Sequence, residues 1–135
     1  MLFRSEYNLE PGVTKIFQIW ILPTAGGGTP SWGAKPFPKA DRSGKFVTLA
    51  SGRPEDIDAL KIRTEGRVLG ATIKAGESVV YPIGAKRHGY LVPARGIVEV
   101  DGVRLEARDG AAISDVDAFN VKALEDAEIV LVDVA

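Results

Sequence analysis

An all-β fold, a sandwich or barrel of short antiparallel strands, is what the sequence predicts. Three observations predict it. Short β-branched and aromatic runs recur with turn residues about every 8–12 positions, the spacing of sandwiches and barrels. An Asp-Gly pair, Asp101-Gly102, separates two alternating runs, Ile97–Val100 and Val103–Glu106. Such a pair is the favoured two-residue hairpin turn, because both residues tolerate positive φ. Finally, almost no stretch shows helical periodicity; Pro54–Leu60, with acids near its start, is the single candidate for a helical turn.

In chain order, the first strand candidate is Lys15–Leu22, stopped by Pro23. Ile16, Gln18, Trp20 and Leu22 share one face, and Phe17, Ile19 and Ile21 the other. Both faces are largely apolar, so the run is expected to be buried on both sides or at an interface. Residues 24–44 form a connector with three consecutive glycines and prolines at 30, 36 and 38. Trp32 and Phe37 are expected to pin it onto a core or a partner. It is no phosphate cradle, because neither Gly-Lys-Ser/Thr nor a helix follows. The domain proper, 45–135, then holds strand candidates Phe46–Ala50, Arg67–Lys74, Ser78–Tyr81, Arg87–Val92, Ile97–Val100, Val103–Glu106, Ala111–Ser114, Ala118–Lys122 and Glu128–Val132. A second reversal is expected at Asp109-Gly110.

Composition limits the chemistry. The 135 residues suit one domain. There are 17 basic and 18 acidic side chains, for a net charge of −1, so no general attraction to nucleic acid or membrane is expected. The first 54 residues carry +4 and the remainder −5, which would let the two parts attract within or between chains. There is no cysteine, hence no disulfide or thiolate chemistry, and one histidine, hence no multi-histidine metal site within one chain. No signal peptide and no membrane-length apolar run are read, which points to the cytoplasm.

Two stretches carry a family resemblance. Gly96–Leu105 followed by Arg108–Ile113 gives glycine, alternating strand, Asp-Gly hairpin, alternating strand and Asp-Gly turn, which resembles the middle of a cupin domain. Arg4-Ser5-Glu6-Tyr7-Asn8 and Phe17-Gln18-Ile19-Trp20-Ile21-Leu22-Pro23 are similar to the pirin family, including its bacterial quercetinase-like members. The resemblance covers nearly the whole chain. It implies an antiparallel cupin jelly roll, a double-stranded β-helix barrel, at 45–135. It also implies that 1–23 corresponds to the end of a first cupin. In that family the first cupin holds a metal through three histidines and a glutamate, and the activity implied is quercetin 2,3-dioxygenation.

The departures are specific. Arg4 stands where the family motif has a metal-binding histidine, and a guanidinium has no lone pair to give. In the second cupin, anchored on Gly96, the glutamate position falls on Gly89, and the histidine positions on Ile83 and Ala85, or on Pro82 and Gly84. Ala111–Asn120 supplies no histidine. No metal ligand, cofactor or catalytic residue is therefore expected. His88 and Tyr90, which share a strand face with Val92, are the candidates for binding a small ligand. Asp109, Asp115 and Asp117 read as turn residues rather than a carboxylate pair or calcium loop. Phe17, Ile19, Trp20, Ile21 and Trp32 are the candidate interface. Three functions remain open. One is a metal-free, non-enzymatic cupin domain that forms a homodimer, by exchange of residues 1–23, and takes a small ligand or protein partner. The second is a quercetinase-type dioxygenase. The third is a metal-independent enzyme that uses the barrel interior, with His88 and Tyr90 as its acid–base pair.

Overall fold

The structure, a computed structural model, describes residues 5–135; Arg4 lies outside them. Ten strands follow one another: β1 (Val47–Ser51), β2 (Leu60–Lys61), β3 (Gly66–Ile73), β4 (Ser78–Tyr81), β5 (His88–Arg95), β6 (Val98–Val100), β7 (Val103–Leu105), β8 (Ala111–Ile113), β9 (Phe119–Ala123) and β10 (Ala127–Val134). One sheet has the order β2-β1-β3-β10-β5-β8 and the other β4-β9-β6-β7. From β3 onward, successive strands pass back and forth between the two sheets, with only the β6–β7 hairpin staying in one. That winding is the cupin jelly roll. All pairings are antiparallel except β1 with the short β2.

Alternation along the strands builds the core. On β10, Ala127, Ile129, Leu131 and Asp133 are buried, while the residues between them are half-buried. Leu69, Ala71 and Ile73 of β3, Leu91 of β5 and Phe119, Val121 and Ala123 of β9 close on them from both sheets. Each large aliphatic group so buried contributes about 1.5–3 kcal/mol. β10 lies between β3 and β5, pairing Ile129 with Ala71 and Leu131 with Leu91, so it carries the middle of the larger sheet.

The turns follow their residues. Asp101 and Gly102 both take positive φ, 47° and 84°, as the hairpin requires. The second reversal lies slightly earlier than expected: Asp109 N–H donates to Glu106 O, and Arg108 takes φ 76°. It carries the chain from one sheet to the other rather than closing a hairpin. Pro54–Leu60 is a series of turns ending in β2, not a helix; among the described residues the one helical turn is the 3-10 segment Ala40–Arg42.

The largest departure is Lys15–Leu22. It is extended but joins no sheet, and it is not buried on both sides. Trp20 is 82% exposed, and Ile16 and Leu22 are also open, while Phe17 and Ile19 are partly covered. Trp32, at 92% exposure, pins nothing within this chain. Alternating apolar residues specify an extended backbone, but a strand also needs an edge to pair with. The connector is held instead by polar contacts. Thr24 N–H donates to Arg63 O, Arg63 donates to Gly27 O and Thr29 O, and Lys39 Nζ meets Glu128 Oε1 at 2.5 Å.

Two glycines separate backbone strain from crowding. Gly102 has positive φ but open space around its missing Cβ. Gly96 has φ 78°, and a Cβ there would lie 2.5 Å from Asp126 O and 2.9 Å from Ala127 Cα. Gly102→Ala is therefore expected to cost about 1–2 kcal/mol, the left-handed penalty alone. Gly96→Ala is expected to cost at least twice as much, because the start of β10 must also move. Urea denaturation of the two variants compares them directly.

Candidate functional site

The interior of a cupin barrel is where a metal would sit, so its residues come first. Gly89 stands where the family resemblance puts the glutamate. A Cβ there would already touch Ile83 Cδ1 at 3.0 Å, Ile113 Cβ at 3.4 Å and Leu131 Cδ1 at 3.5 Å. A glutamate there would have to displace these groups, which are hydrocarbon. Ile83 is itself buried in the core, and Ala85 and Pro82 face outward. Among the described residues no three His, Cys, Asp or Glu side chains group to hold a metal ion. The residues present do not fit the family's metal.

One end of the barrel is closed by charge. Asp133 continues the inward register of Ala127, Ile129 and Leu131 and is 1% exposed. A buried carboxylate needs partners. Tyr81, which ends β4 in the opposite sheet, donates its hydroxyl to Oδ2 at 2.7 Å, and Arg87 Nε donates to Oδ1 at 2.6 Å. Arg87 Nη1 continues to Glu65 Oε2 at 2.8 Å, and Arg53 Nε lies 3.1 Å from Glu65 Oε1. Beside this, Arg67 grips Asp56 with two bonds, Nε to Oδ2 at 2.7 Å and Nη2 to Oδ1 at 3.1 Å, and buried Ser51 donates to the same carboxylate at 2.6 Å. The Tyr81 ring packs edge-on to Phe46 and tilted against Phe119. Three arginines, Arg53, Arg67 and Arg87, face four carboxylates, Glu55, Asp56, Glu65 and Asp133, so the network carries no excess positive charge. It is a plug that ties β4 to β10, not an anion site.

The hydrogen bonds from Arg67 hold Asp56 below the usual carboxylate range, and those from Arg87 do the same to Glu65. Burial, reinforced by Asp133, pushes the Tyr81 phenol up to about 12. Folded carboxylates with lowered pKa add stability above their unfolded pKa of about 4, and lose it as the pH falls through the folded value. For Tyr81 the sense reverses: its contribution is whole below pH of about 10 and fades as the pH rises toward the folded value.

The outer face of the larger sheet is different. Val68, Val132 and Tyr90 stand in one register row across β3, β10 and β5, and Val130 and Val92 in the next. The extended segment runs over this apolar face. Phe17, Gln18, Ile19 and Trp20 surround a cavity of about 340 Å3 with Tyr90, Val92, Val130 and Val132. A second cavity, about 490 Å3, lies toward β1 and β2 and takes in Phe17, Ile19 and Ile21.

Sequence reasoning placed His88, Tyr90 and Val92 on one face of β5, and they are; but that face is outside the barrel. The interior positions of β5 are Gly89, Leu91 and Pro93. Neither His88 nor Tyr90 points into the interior. Tyr90, 53% exposed, joins Phe17, Ile19 and Trp20 at the smaller cavity; His88 lines neither cavity, nor does Trp32. Tyr90 also lies over Gly110, where a Cβ would meet its hydroxyl at 2.0 Å unless the tyrosine moved. The plug went unread, although Asp133 at an inward strand position was a visible signal.

Three outcomes are expected. Tyr81→Phe, which leaves Asp133 one donor short, destabilises by about 1–3 kcal/mol. Wild-type urea midpoints fall as the pH drops below about 4. Asp56→Asn is less stable at pH 7 and shows a shallower acid limb; an unchanged limb would disprove the role given to Asp56.

The fold matches known proteins. A family model described as the quercetinase C-terminal cupin domain matches residues 48–134. A pirin-like protein of Caulobacter vibrioides is 68% identical over 131 residues, covering 97% of this chain and 56% of that protein. A putative quercetin 2,3-dioxygenase of Pseudomonas aeruginosa is 55% identical over 134 residues, 99% of this chain and 58% of that protein. The crystal structure of YhhW from Escherichia coli superposes with a TM-score of 0.78 at 28% identity, covering 86% of this chain and 48% of that one. The same bacterial pirin, crystallised in complex with nickel(II), gives 0.77 at 27% identity, covering 85% and 48%. The chain thus spans little more than half the length of the curated relatives it matches. It belongs to the pirin family, as a quercetinase-type C-terminal cupin domain.

Proposed function

We propose that this chain is a metal-free, non-enzymatic cupin domain whose outer sheet face and extended segment form an association surface for a second copy of itself. The observation that carries the first half is the hydrocarbon packing of Ile83, Ile113 and Leu131 around Gly89. A glutamate there would have to displace these groups. The second half rests on residues 15–22, which keep apolar side chains on both faces and backbone groups outside any sheet. An exposed edge of this kind is a template for pairing. The +4 and −5 halves of the chain favour a copy of the same chain over an unrelated partner. Exchange of residues 1–23 between two copies satisfies both features.

The relatives named as quercetin 2,3-dioxygenases favour a second reading. We place their activity in the portion of those proteins that this chain does not match, consistent with the metal-bearing first cupin that the family resemblance implies. Two measurements test both readings. Chain purified without chelators is expected to hold far less than one metal ion per chain and to leave quercetin unconsumed. A stoichiometric metal with turnover would overturn the non-enzymatic reading. Light scattering behind size exclusion is expected to give the mass of two chains, and Trp20→Ser to weaken the dimer at least about ten-fold, as losing an aromatic anchor does. A wild-type monomer at every concentration would overturn the association.

A further inference from the structure

We propose that the groove between the extended segment and the β1–β2 edge is a binding site for an apolar monocarboxylate, such as a fatty or aromatic acid, with Arg63 as its anchor. The groove holds about 490 Å3, within the usual range of small-ligand sites. Phe17, Ile19 and Ile21 form one wall, and Leu60, Ile62 and Val68 the other. Its charged lining residue is Arg63.

Arg63 stands apart from the other arginines near it. Arg53, Arg67 and Arg87 each face a carboxylate, whereas Arg63 has no acidic partner among the described residues. Two of its nitrogens, Nη1 and Nη2, donate to the carbonyls of Gly27 and Thr29. Carbonyl dipoles orient the guanidinium without cancelling its charge. Of its five N–H donors, three remain for a ligand. A planar donor group held in place loses little entropy on binding a carboxylate, which it matches in shape. One cation and hydrocarbon walls suit one negative charge on an apolar body. A phosphate or dicarboxylate would leave charge uncompensated there. The site lies under the extended segment, so it is present in one chain or in two.

Dodecanoate, kept below its micellar concentration, is the probe, followed by calorimetry and by thermal shift of the full chain. Saturation at one per chain is expected, with dodecan-1-ol at least ten-fold weaker. Arg63→Gln should weaken dodecanoate at least ten-fold. Because that change also frees the connector, Val68→Phe is the second variant: it fills the groove, leaves Arg63 in place, and should abolish binding without lowering the ligand-free melting temperature. Tyr90→Ala, at the smaller cavity, should bind as wild type does. Equal affinity for dodecan-1-ol, full binding by Val68→Phe, loss confined to Tyr90→Ala, or uptake without saturation would each overturn the assignment.

Discussion

A carboxylate taken out of water must be given donors, and in this barrel that demand falls on Asp133. It sits in the middle strand of the larger sheet, on the side facing the smaller one. Tyr81 answers from the smaller sheet and Arg87 from the loop that returns to the larger. The two sheets are thus joined at one end by directional bonds, while apolar packing joins them elsewhere. Around that pair the other charges arrange themselves. Glu65 and Arg53 extend the network toward solvent, and Asp56 with Arg67 braces the end of β1. Removing Tyr81 or Arg87 costs more than its own bond, because Asp133, left behind, is buried.

The interior beyond this plug is hydrocarbon, and the two cavities lie on the outer face of the larger sheet. A cupin that carries ligands on its inward strand positions has a reactive cavity. Here the position that the family resemblance gives to the glutamate is Gly89, and Ile83, Ile113 and Leu131 pack around it. What varies in polarity and accessibility is the outer sheet face, where Tyr90, the valine rows and Arg63 meet the extended segment.

Most of the barrel was legible because strand alternation and turn chemistry are local. Ser78–Tyr81 coincides with its expected strand, and Asp101-Gly102 adopts the turn its residues favour. The two-residue β2 was missed because it is defined by its parallel partner, Ala50, and not by its own pattern. Lys15–Leu22 misled for the same reason: its residues specify extension, and pairing depends on what lies alongside. The plug draws on positions from 51 to 133, so no local window contains it. His88 and Tyr90 were assigned to the correct shared face, but which face of β5 points inward is set by the register with β10, and that register is fixed by Leu91 facing Leu131.

The position of β10 between β3 and β5 also governs when the domain can form. β3 and β5 do not pair with one another; each relies on β10, which follows both in chain order. During synthesis the central gap of the larger sheet stays open until residues 127–134 emerge, with Leu69, Ala71 and Leu91 uncovered on either side. The domain therefore closes in one late step that joins distant parts of the chain, the slow kind of folding typical of non-local β topologies. In the interval, its exposed strand edges are where a molecular chaperone, or a neighbouring nascent chain, would find purchase.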